Sequence, residues 1–290
     1  MPSMKDIKQR LSNVRTTHQI IRAMDMVAAT RLHKARMRLE GIRPLQAEMR
    51  RHIAALGHCD EAAEHAFVVR REPKVTAYII ITSNKGLCGG YNTAICQKAL
   101  EHMEQGHNER LIIVGTKGIE YFQRQHKNIR YRITDIPDVQ IYETAGRLGA
   151  RLTPLYLSGE VDEVYVAYTH FESTLSHVPR LERVLPLPIG AEEAARGEAQ
   201  QEPRLEKMKY EPDVRTFIDH IVPLYLHTYF FAALSEAVAC EHAARMINMD
   251  AAGKNATEVI DDLKRMYNRK RQAAITQELN EIVGGANILR

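Results

Sequence analysis

The chain has 290 residues, of which 44% are apolar and 26% are charged, with a net charge of +4 and four cysteines. This composition excludes the disordered and fibrous classes and fits a soluble protein with one sizeable core. No eighteen apolar residues follow one another and Met1–Arg10 is polar, so we expect a cytoplasmic chain without a signal peptide or membrane span. The cysteines form no CxxC pair, so we expect neither a disulfide framework nor a zinc site.

The amino-terminal segment is basic and has the pattern of a long helix. Residues 1–51 hold 12 Lys or Arg against 4 Asp or Glu, a net charge of +8, so the rest of the chain is net acidic. From Ser3 to about Leu56 the only helix breakers are Gly41 and Pro44. Apolar residues recur at alternating intervals of four and three, with polar His18 and Asp25 in two slots: Ile7, Leu11, Val14, Ile21, Ala28, Leu32, Ala35 and Leu39. We predict a coiled-coil helix over residues 1–56, about 75 Å long.

The carboxy-terminal segment repeats this pattern. From Asp213 to Asn287 the only proline is Pro223, which predicts a bend there and a straight helix afterwards. Its apolar stripe, interrupted by Lys270, consists of Met249, Ala252, Ala256, Val259, Leu263, Met266 and Ala273. We predict a second long helix over residues 209–290, of about 110 Å, that packs against the first as an antiparallel coiled coil.

The middle of the chain alternates between strand and helix patterns. The predicted strands are Val75–Thr82, Leu111–Gly115, Val161–Thr169 and Pro179–Leu187, and the predicted helices are Tyr91–Gln105, Lys117–His126 and Val139–Leu157. This alternation predicts an α/β domain with a mostly parallel sheet over residues 75–188. Residues 189–208 are rich in Ala, Glu, Gly and Pro and are predicted to be a linker loop.

The most conspicuous local motif is SNKGLCGGY, from Ser83 to Tyr91. It follows a predicted strand and leads into a helix, where α/β proteins bind phosphate through loop amides and the positive end of the helix. Its spacing is neither GxGxxG nor GxxxxGK[ST], and Lys85 precedes the glycines instead of following them. A tight strand-to-helix turn therefore accounts for the motif better than an anion site does.

No pattern of catalytic or metal-binding residues stands out. Cys88 lies near a predicted helix start, which favours an activated thiol, but the sequence shows no base to serve it. The thirteen histidines are spread singly, without the spacing of a metal-binding helix, and neither GxSxG nor HExxH occurs. We predict no catalytic residue, no metal and no cofactor.

Basic residues cluster on the first helix at Arg31, Lys34, Arg36 and Arg38. Three interpretations fit: a solvated face, a nucleic-acid surface, and a surface that meets acidic proteins. Residues 1–51 contain no aromatic residue for stacking on bases. Positive charge would also steer the chain toward a carboxylate-rich partner.

The last helix ends almost without charge. Between Ile275 and Leu289 the only charged residues are Glu278 and Glu281. Such an end either frays in solvent or sits in a hydrophobic collar of other chains, and the long helix behind it favours the collar.

Together these segments resemble the gamma subunit of F-type ATP synthase, of the bacterial type, over nearly the whole chain. Four stretches carry the resemblance: Arg22–Ala29 (RAMDMVAA), Ser83–Asn92 (SNKGLCGGYN), Ser235–Ala252 and Ile275–Ala286. The resemblance implies an α/β protein in which a Rossmann-like domain interrupts a long antiparallel coiled coil of the two terminal helices.

Three positions depart from the family pattern. The family usually has Glu at Asp25, Asp-Arg at Asn84 and Lys85, and a small or basic residue at Ile288. The first two departures keep polarity or charge in part, and the third makes the tip more apolar. The central domain has no cysteine-bearing insertion, so we do not expect the redox switch of the chloroplast relatives.

The resemblance also implies function and partners. We expect a non-catalytic central-stalk subunit that couples ion-driven rotation to ATP synthesis or hydrolysis. Its partners would be the alpha and beta subunits of the alpha3beta3 ring, the epsilon subunit and the ring of c subunits, with no nucleic acid. Membrane association would be peripheral, at the cytoplasmic face of the bacterial cell membrane.

Contact residues follow from the same resemblance. Torque-transmitting contacts with beta subunits are expected at Met24, Gln272, Thr276 and Glu278. To these we add the basic residues Arg31, Lys34, Arg36 and Arg38. The bearing tip would comprise Ile282, Val283, Ile288 and Leu289. Contacts with the c ring would involve Tyr210 and Glu211.

Overall fold

Two long helices, at the beginning and the end of the chain, frame the structure. The computed structural model describes residues 3–104, 106, 108–189 and 210–288, with side chains as far as residue 282. Helix α1 spans Met4–Ala55, and the final helix, labelled α6 below, spans Val214–Ile288. These two helices pack against each other, and a central sheet lies between them in the sequence. The predicted fold class is therefore confirmed. The predicted linker lies outside the described residues except at residue 189.

The chain forms two compact units. One consists of Met1–Ala29 with Arg245–Arg290, and the other of Thr30–Ala244. Each long helix therefore contributes one part to each unit. The domain limits predicted from the sequence stay predictions.

Helix α1 begins with a reciprocal cap and keeps one repeat along its length. The backbone N of Ser3 donates to Asp6 Oδ2 (2.9 Å), and the backbone N of Asp6 donates to the Ser3 hydroxyl (3.2 Å). These bonds lower the pKa of Asp6. Positions spaced alternately four and three residues apart, from Ile7 to Ile53, are all buried or half-buried. The coiled-coil repeat therefore continues along the helix. Exposed Pro44 lies within the helix, where water can reach the backbone group that lacks its partner.

Helix α6 begins at Val214, five residues after the predicted start. Pro212 disfavours helical backbone at Glu211. Asp213 then caps the helix, accepting the backbone N of Thr216 (2.8 Å) and its hydroxyl (2.9 Å). One stretch of α6 is long and apolar enough to cross a membrane, but 67% of that stretch is buried inside the protein, as in a core helix.

The apolar stripe of α6 shifts by one residue beyond Ala256. From Met249 the buried or half-buried positions come at intervals of three, four and four residues to Ile260, which is 8% exposed. The predicted stripe residues Val259 and Met266 are 41% and 46% exposed, so the prediction was wrong there. The extra interval of four is a stutter, which locally unwinds a coiled coil.

Short elements connect α1 to the sheet and alternate along it. A 3-10 turn at Leu56–His58 and helix α2 at Asp60–Ala63 precede the first strand. The strands are β1 Val75–Ile81, β2 Asn108–Val114, β3 Ile129–Ile133, β4 Glu163–Phe171 and β5 His177–Leu185. The remaining helices are α3 Tyr91–Met103, α4 Thr116–Arg124 and α5 Ile141–Leu157, with a 3-10 turn at Asp138–Gln140 before α5.

The sheet has the strand order β3-β2-β1-β4-β5. Three of its pairings are parallel, and β5 runs antiparallel to β4. The order reverses between β1 and β4, because the chain first moves outward through β2 and β3 and then returns to the other side of β1. Open α/β sheets bind their ligands at such a switch point, beyond the carboxyl ends of the strands.

Both faces of the sheet are covered. Ala77, Ile79 and Ile81 of β1 join a core with the base of α1, with α5 and with the first half of α6. Tyr78 points the other way, and its hydroxyl lies 2.8 Å from Nδ1 of His102 in α3. Burial on both faces explains why β1 reads as a continuous apolar run.

Candidate functional site

The loop after β1 forms a tight turn closed by its own side chains. The Ser83 hydroxyl donates to the carbonyl oxygen of Lys85 (2.7 Å) and accepts from Nδ2 of Asn92 (2.8 Å). Oδ1 of Asn92 accepts the backbone N of Ser83 (2.9 Å). Leu87 and Gly89 have φ angles of 65° and 59°, the left-handed conformation of a sharp reversal. This geometry favours the turn predicted for the motif over an anion cradle.

Asn84 ties this loop to the ends of two neighbouring strands. Its Oδ1 accepts the backbone N of Thr116 (3.2 Å), the hydroxyl of Thr116 (3.3 Å) and the backbone N of Asp135 (3.3 Å). The three bonds require an acceptor but no charge. Asn84 therefore does here what the aspartate of the family pattern would do.

Helix α6 fills the switch point where a ligand would otherwise bind. The hydroxyl of Tyr91, at the start of α3, donates to the carbonyl oxygen of Ala237 (3.0 Å). Sγ of Cys240 lies 3.4 Å from the carbonyl oxygen of Thr169 near the end of β4. All four residues are buried. A helix thus occupies the crevice that α/β enzymes use for their substrates or cofactors.

Clusters suited to a metal are absent from the part of the chain that the structure describes. Among those residues, no group of three His, Cys, Asp or Glu side chains comes close enough to hold an ion.

Three of the four cysteines are buried, and Cys59 is half-buried. Burial raises the pKa of Cys96 to about 12 and raises that of Cys240 as well. For Cys96 this lowers the thiolate fraction at pH 8 by about a thousandfold. Cys88 is 2% exposed.

We expect one thiol of the native chain to react quickly with a thiol reagent at pH 8, and four in denaturant. Cys59 is the reactive one because it is the cysteine that solvent reaches. Absorbance of the released chromophore gives the counts. The Cys59→Ser variant should lose the fast phase, whereas a fast phase that persists in this variant would show that Cys88 is the reactive thiol.

The structure divides the basic cluster between two sides of α1. Arg31, Lys34 and Arg36 are exposed, and Arg38 is half-buried. With about 100° per residue, Arg31, Lys34 and Arg38 lie within about 60° of one another. Arg36 lies about 140° from Arg31, across the buried stripe that includes Leu32. The four residues therefore do not form the one dense cluster that was predicted. Three of them lie together, and Arg36 lies apart.

Contacts near the middle of the coiled coil fix its direction. The hydroxyl of Thr257 lies 3.4 Å from Nε2 of His18. A Cβ on Gly253 would meet Ile21 at 3.8 Å, so the backbone of α6 approaches α1 closely there. The later residue of α1, Ile21, faces the earlier residue of α6, Gly253, which confirms that the two helices run antiparallel. The same register places Met4, the first residue of α1, opposite about residue 271 of α6.

From Gln272 onward, α6 therefore extends past the start of α1 and has no partner helix among the residues that the structure describes. Gln272, Thr276 and Glu278 are exposed on this segment, and the Thr276 hydroxyl bonds to the carbonyl oxygen of Gln272 (2.9 Å). Half-buried Met24 lies opposite about residue 250, so it stands about 30 Å from Gln272 along the pair. The predicted torque contacts thus fall at separate levels.

Ile282 of the predicted bearing is 68% exposed. The side chains of Val283 and Ile288, and the whole of Leu289, lie outside the described part of the chain.

Tyr210 and Glu211, predicted to meet the c ring, precede α6 instead of opening it. Tyr210 is half-buried, its ring centroid lies 4.8 Å from that of Phe217, and burial raises its pKa. Glu211 is exposed. Tyr210 therefore supports the local packing, and Glu211 places a carboxyl group at the surface.

Two carboxylates with partners from distant segments, half-buried Glu182 and buried Glu236, were not predicted from the sequence. Glu182 of β5 accepts the hydroxyls of Tyr229 (2.9 Å) and Tyr168 (3.2 Å), and Glu236 of α6 lies 2.7 Å from Nδ1 of His170. Strand periodicity gave one signal, because Glu182 shares a face of β5 with a buried valine two residues further on.

The comparisons with known proteins agree with this architecture. The family model described as ATP synthase matches residues 3–289. The ATP synthase gamma chain of Alkaliphilus metalliredigens is 37% identical over 289 residues, covering 99% of both chains. That of Moorella thermoacetica is 38% identical over 291 residues, covering 100% of both.

Solved structures show the same fold. One is the central stalk and c ring of the Tetrahymena thermophila mitochondrial ATP synthase, with a TM-score of 0.61 and 24% identity over 80% of this chain and 99% of that one. Another is the OSCP/F1/c-ring part of the Euglena gracilis mitochondrial ATP synthase, with a TM-score of 0.69 and 17% identity. That match covers 99% of this chain and 94% of the other.

Two long antiparallel helices, with a doubly wound sheet between them in sequence, are the fold shared with the solved central-stalk structure. The family match and the full-length relatives then make the assignment specific. The chain belongs to the gamma-chain family of the ATP synthases.

Proposed function

We propose that this chain is the rotor shaft of an ATP synthase, coupling rotation of a c ring to ATP synthesis or hydrolysis in an alpha3beta3 ring. The observation that carries this proposal is the match along the whole chain to curated gamma chains. The structure supports it with a stiff antiparallel helix pair and a lone helical extension. Two packed helices resist bending and twisting better than one.

A shaft must also present chemically different surfaces on its different sides. Three equivalent beta subunits take different conformations only if each meets a different face of the shaft, because a contact shifts an equilibrium by its differential affinity for the two states. The two helices supply that difference, since α1 is strongly basic and the last turns of α6 are nearly free of charge.

The contact residues keep their predicted roles in this proposal. Acidic groups of the beta subunits meet Arg31, Lys34, Arg36 and Arg38 of α1. The beta subunits also contact Met24, Gln272, Thr276 and Glu278. Ile282 and the residues after it form the bearing. Tyr210 and Glu211 face the c ring, and the epsilon subunit binds the α/β part.

Catalysis belongs to other subunits in this proposal. Two features support it: the loop after β1 is closed by its own hydrogen bonds, and α6 fills the switch point. The chain is then part of a membrane-associated complex, at the cytoplasmic face of a bacterial membrane, and is itself peripheral.

Purification of the native complex tests the proposal. Quantitative mass spectrometry of the complex should give one copy of this chain for three alpha and three beta subunits, and the isolated chain should hydrolyse no ATP. An isolated chain that binds nucleotide, with loss on replacing Lys85, would favour an enzyme. Steeply salt-dependent affinity for DNA or RNA would favour a nucleic-acid binder.

A further inference from the structure

Hydrogen bonds attach the first half of α6 to the sheet at several positions along the helix axis. Tyr229 bonds to Glu182 (2.9 Å), and Oε2 of Glu236 lies 2.7 Å from Nδ1 of His170. The same oxygen accepts the backbone N of Phe171 (3.2 Å). Further along, Cys240 reaches the end of β4, as described above. The attachments extend over about 16 Å of helix.

These attachments lie on one face of α6. With about 100° per residue, Tyr229, Glu236 and Cys240 point within about 20° of one direction. A helix held on one face at several heights resists both tilting and turning about its own axis.

Glu182 also connects the other long helix to the same strand. Its carboxylate lies 3.8 Å from the guanidinium of Arg50 in α1 and 3.8 Å from that of Arg180. The side chains of Glu182 and Arg50 are 12% and 17% exposed. One carboxylate on β5 thus contacts both α1 and α6.

Apolar packing resists separation of these helices more specifically than it resists a small turn about the helix axis. The hydrophobic effect follows the area buried and has no preferred direction. Hydrogen bonds to a carboxylate are strong and depend on angle. A turn of α6 would take the Tyr229 hydroxyl away from half-buried Glu182, and would take buried Glu236 away from His170 and the backbone N of Phe171. Such a loss of partners is costly for a carboxylate that is largely shielded from water. Burial also raises the pKa values of Tyr168 and Tyr229 well above their ordinary value, so both stay protonated donors.

We propose that Glu182 and Glu236 are positioning residues that transmit torque between the α/β part and the helices that rise from it. This inference rests on the proposed rotor function. Glu182 fixes α1 and α6 to β5, and Glu236 fixes α6 to β4. Neither residue touches nucleotide or the catalytic ring; each keeps the helices from turning on the sheet under load.

The test uses the complete reconstituted synthase with the variants Glu182→Gln, Glu236→Gln and the milder Tyr229→Phe. The control is Tyr78→Phe, which also removes one hydroxyl from the sheet, but on the face toward α3. With the ring fixed and catalysis halted, a probe on the c ring reports the angular spread of the shaft. ATP hydrolysis without load and ion pumping against a gradient are measured on the same preparations.

We expect the variants to widen the angular spread and to lower pumping against a gradient at least about twofold, with unloaded hydrolysis unchanged. Loss of one hydrogen bond to a charged group raises the population of a turned state at least about tenfold. Variants that match the wild type, or a Tyr78→Phe control that widens the spread equally, would overturn the proposal. If the glutamine variants do not assemble, the angular spread and pumping of the Tyr229→Phe variant alone test the proposal. A wild-type chain that does not rotate in the ring overturns the rotor function itself.

Discussion

Replacing Gly115 with alanine should lower the free energy of unfolding by about 2–6 kcal/mol, the sum of backbone strain and overpacking. Gly115 stands between β2 and α4 with a φ of 98°, which side-chain-bearing residues rarely adopt. A Cβ there would overlap the carbonyl oxygen of Thr82 and lie 2.6 Å from its Oγ1. Thr82 cannot move aside easily, because Oγ1 bonds to the carbonyl oxygen of Val114 (2.8 Å) and accepts the backbone N of Gly118 (2.9 Å).

Urea denaturation followed by circular dichroism measures this loss, and Gly90→Ala provides the control. Gly90 has a φ of −80°, and a Cβ there would meet nothing within 4 Å. The control should change the free energy of unfolding by less than about 1 kcal/mol. Equal stabilities of the two variants would contradict the strain assigned to Gly115.

The sequence was sufficient for the long helices and for most of the sheet. The helices were predictable because their apolar repeat extends over many turns, with few glycines or prolines inside it. The strands β1, β2 and β4 were predictable because burial on both faces makes each of them a short apolar run.

Strand β3 was missed although its sequence, IRYRI, alternates apolar and polar residues. It is an edge strand, where Arg130 and Arg132 are exposed. Such a strand lacks the continuous apolar run that marked the others, and only its period of two predicts it. The shift of the α6 stripe at Ile260 was missed for another reason. Val259 and Ile260 are adjacent apolar residues, so the sequence alone fits a stripe through either of them.

The candidate contacts were predictable only as residue types at family positions. Residues Arg31 to Arg38 are close in sequence, but the helical period sends Arg36 to the other side of α1. Half-buried Glu182 and buried Glu236 were missed because their partners come from distant segments, such as Tyr229 and His170. Tertiary contacts of this kind leave little trace in a single sequence.

Neutralising the three exposed residues of the basic cluster on α1, Arg31, Lys34 and Arg36, should weaken the motor without unfolding the chain. In the Arg31→Gln/Lys34→Gln/Arg36→Gln variant, we expect rotation against load to slow by about threefold to tenfold, because exposed ion pairs are individually weak but several act together. Half-buried Arg38 is left in place to avoid disturbing the packing of α1. Single-molecule rotation in the assembled ring, with and without a viscous load, measures the effect.

A charge-conserving variant separates charge from side-chain shape. Arg31→Lys/Lys34→Arg/Arg36→Lys keeps three positive charges on the same positions and should rotate like the wild type. Added salt should then slow the wild type and this control toward the rate of the neutral variant, since the screening length falls to about 3 Å at 1 M. If the neutral variant keeps full torque and full ATP hydrolysis, the basic residues do not meet acidic groups of the ring, and the solvated face remains as their explanation.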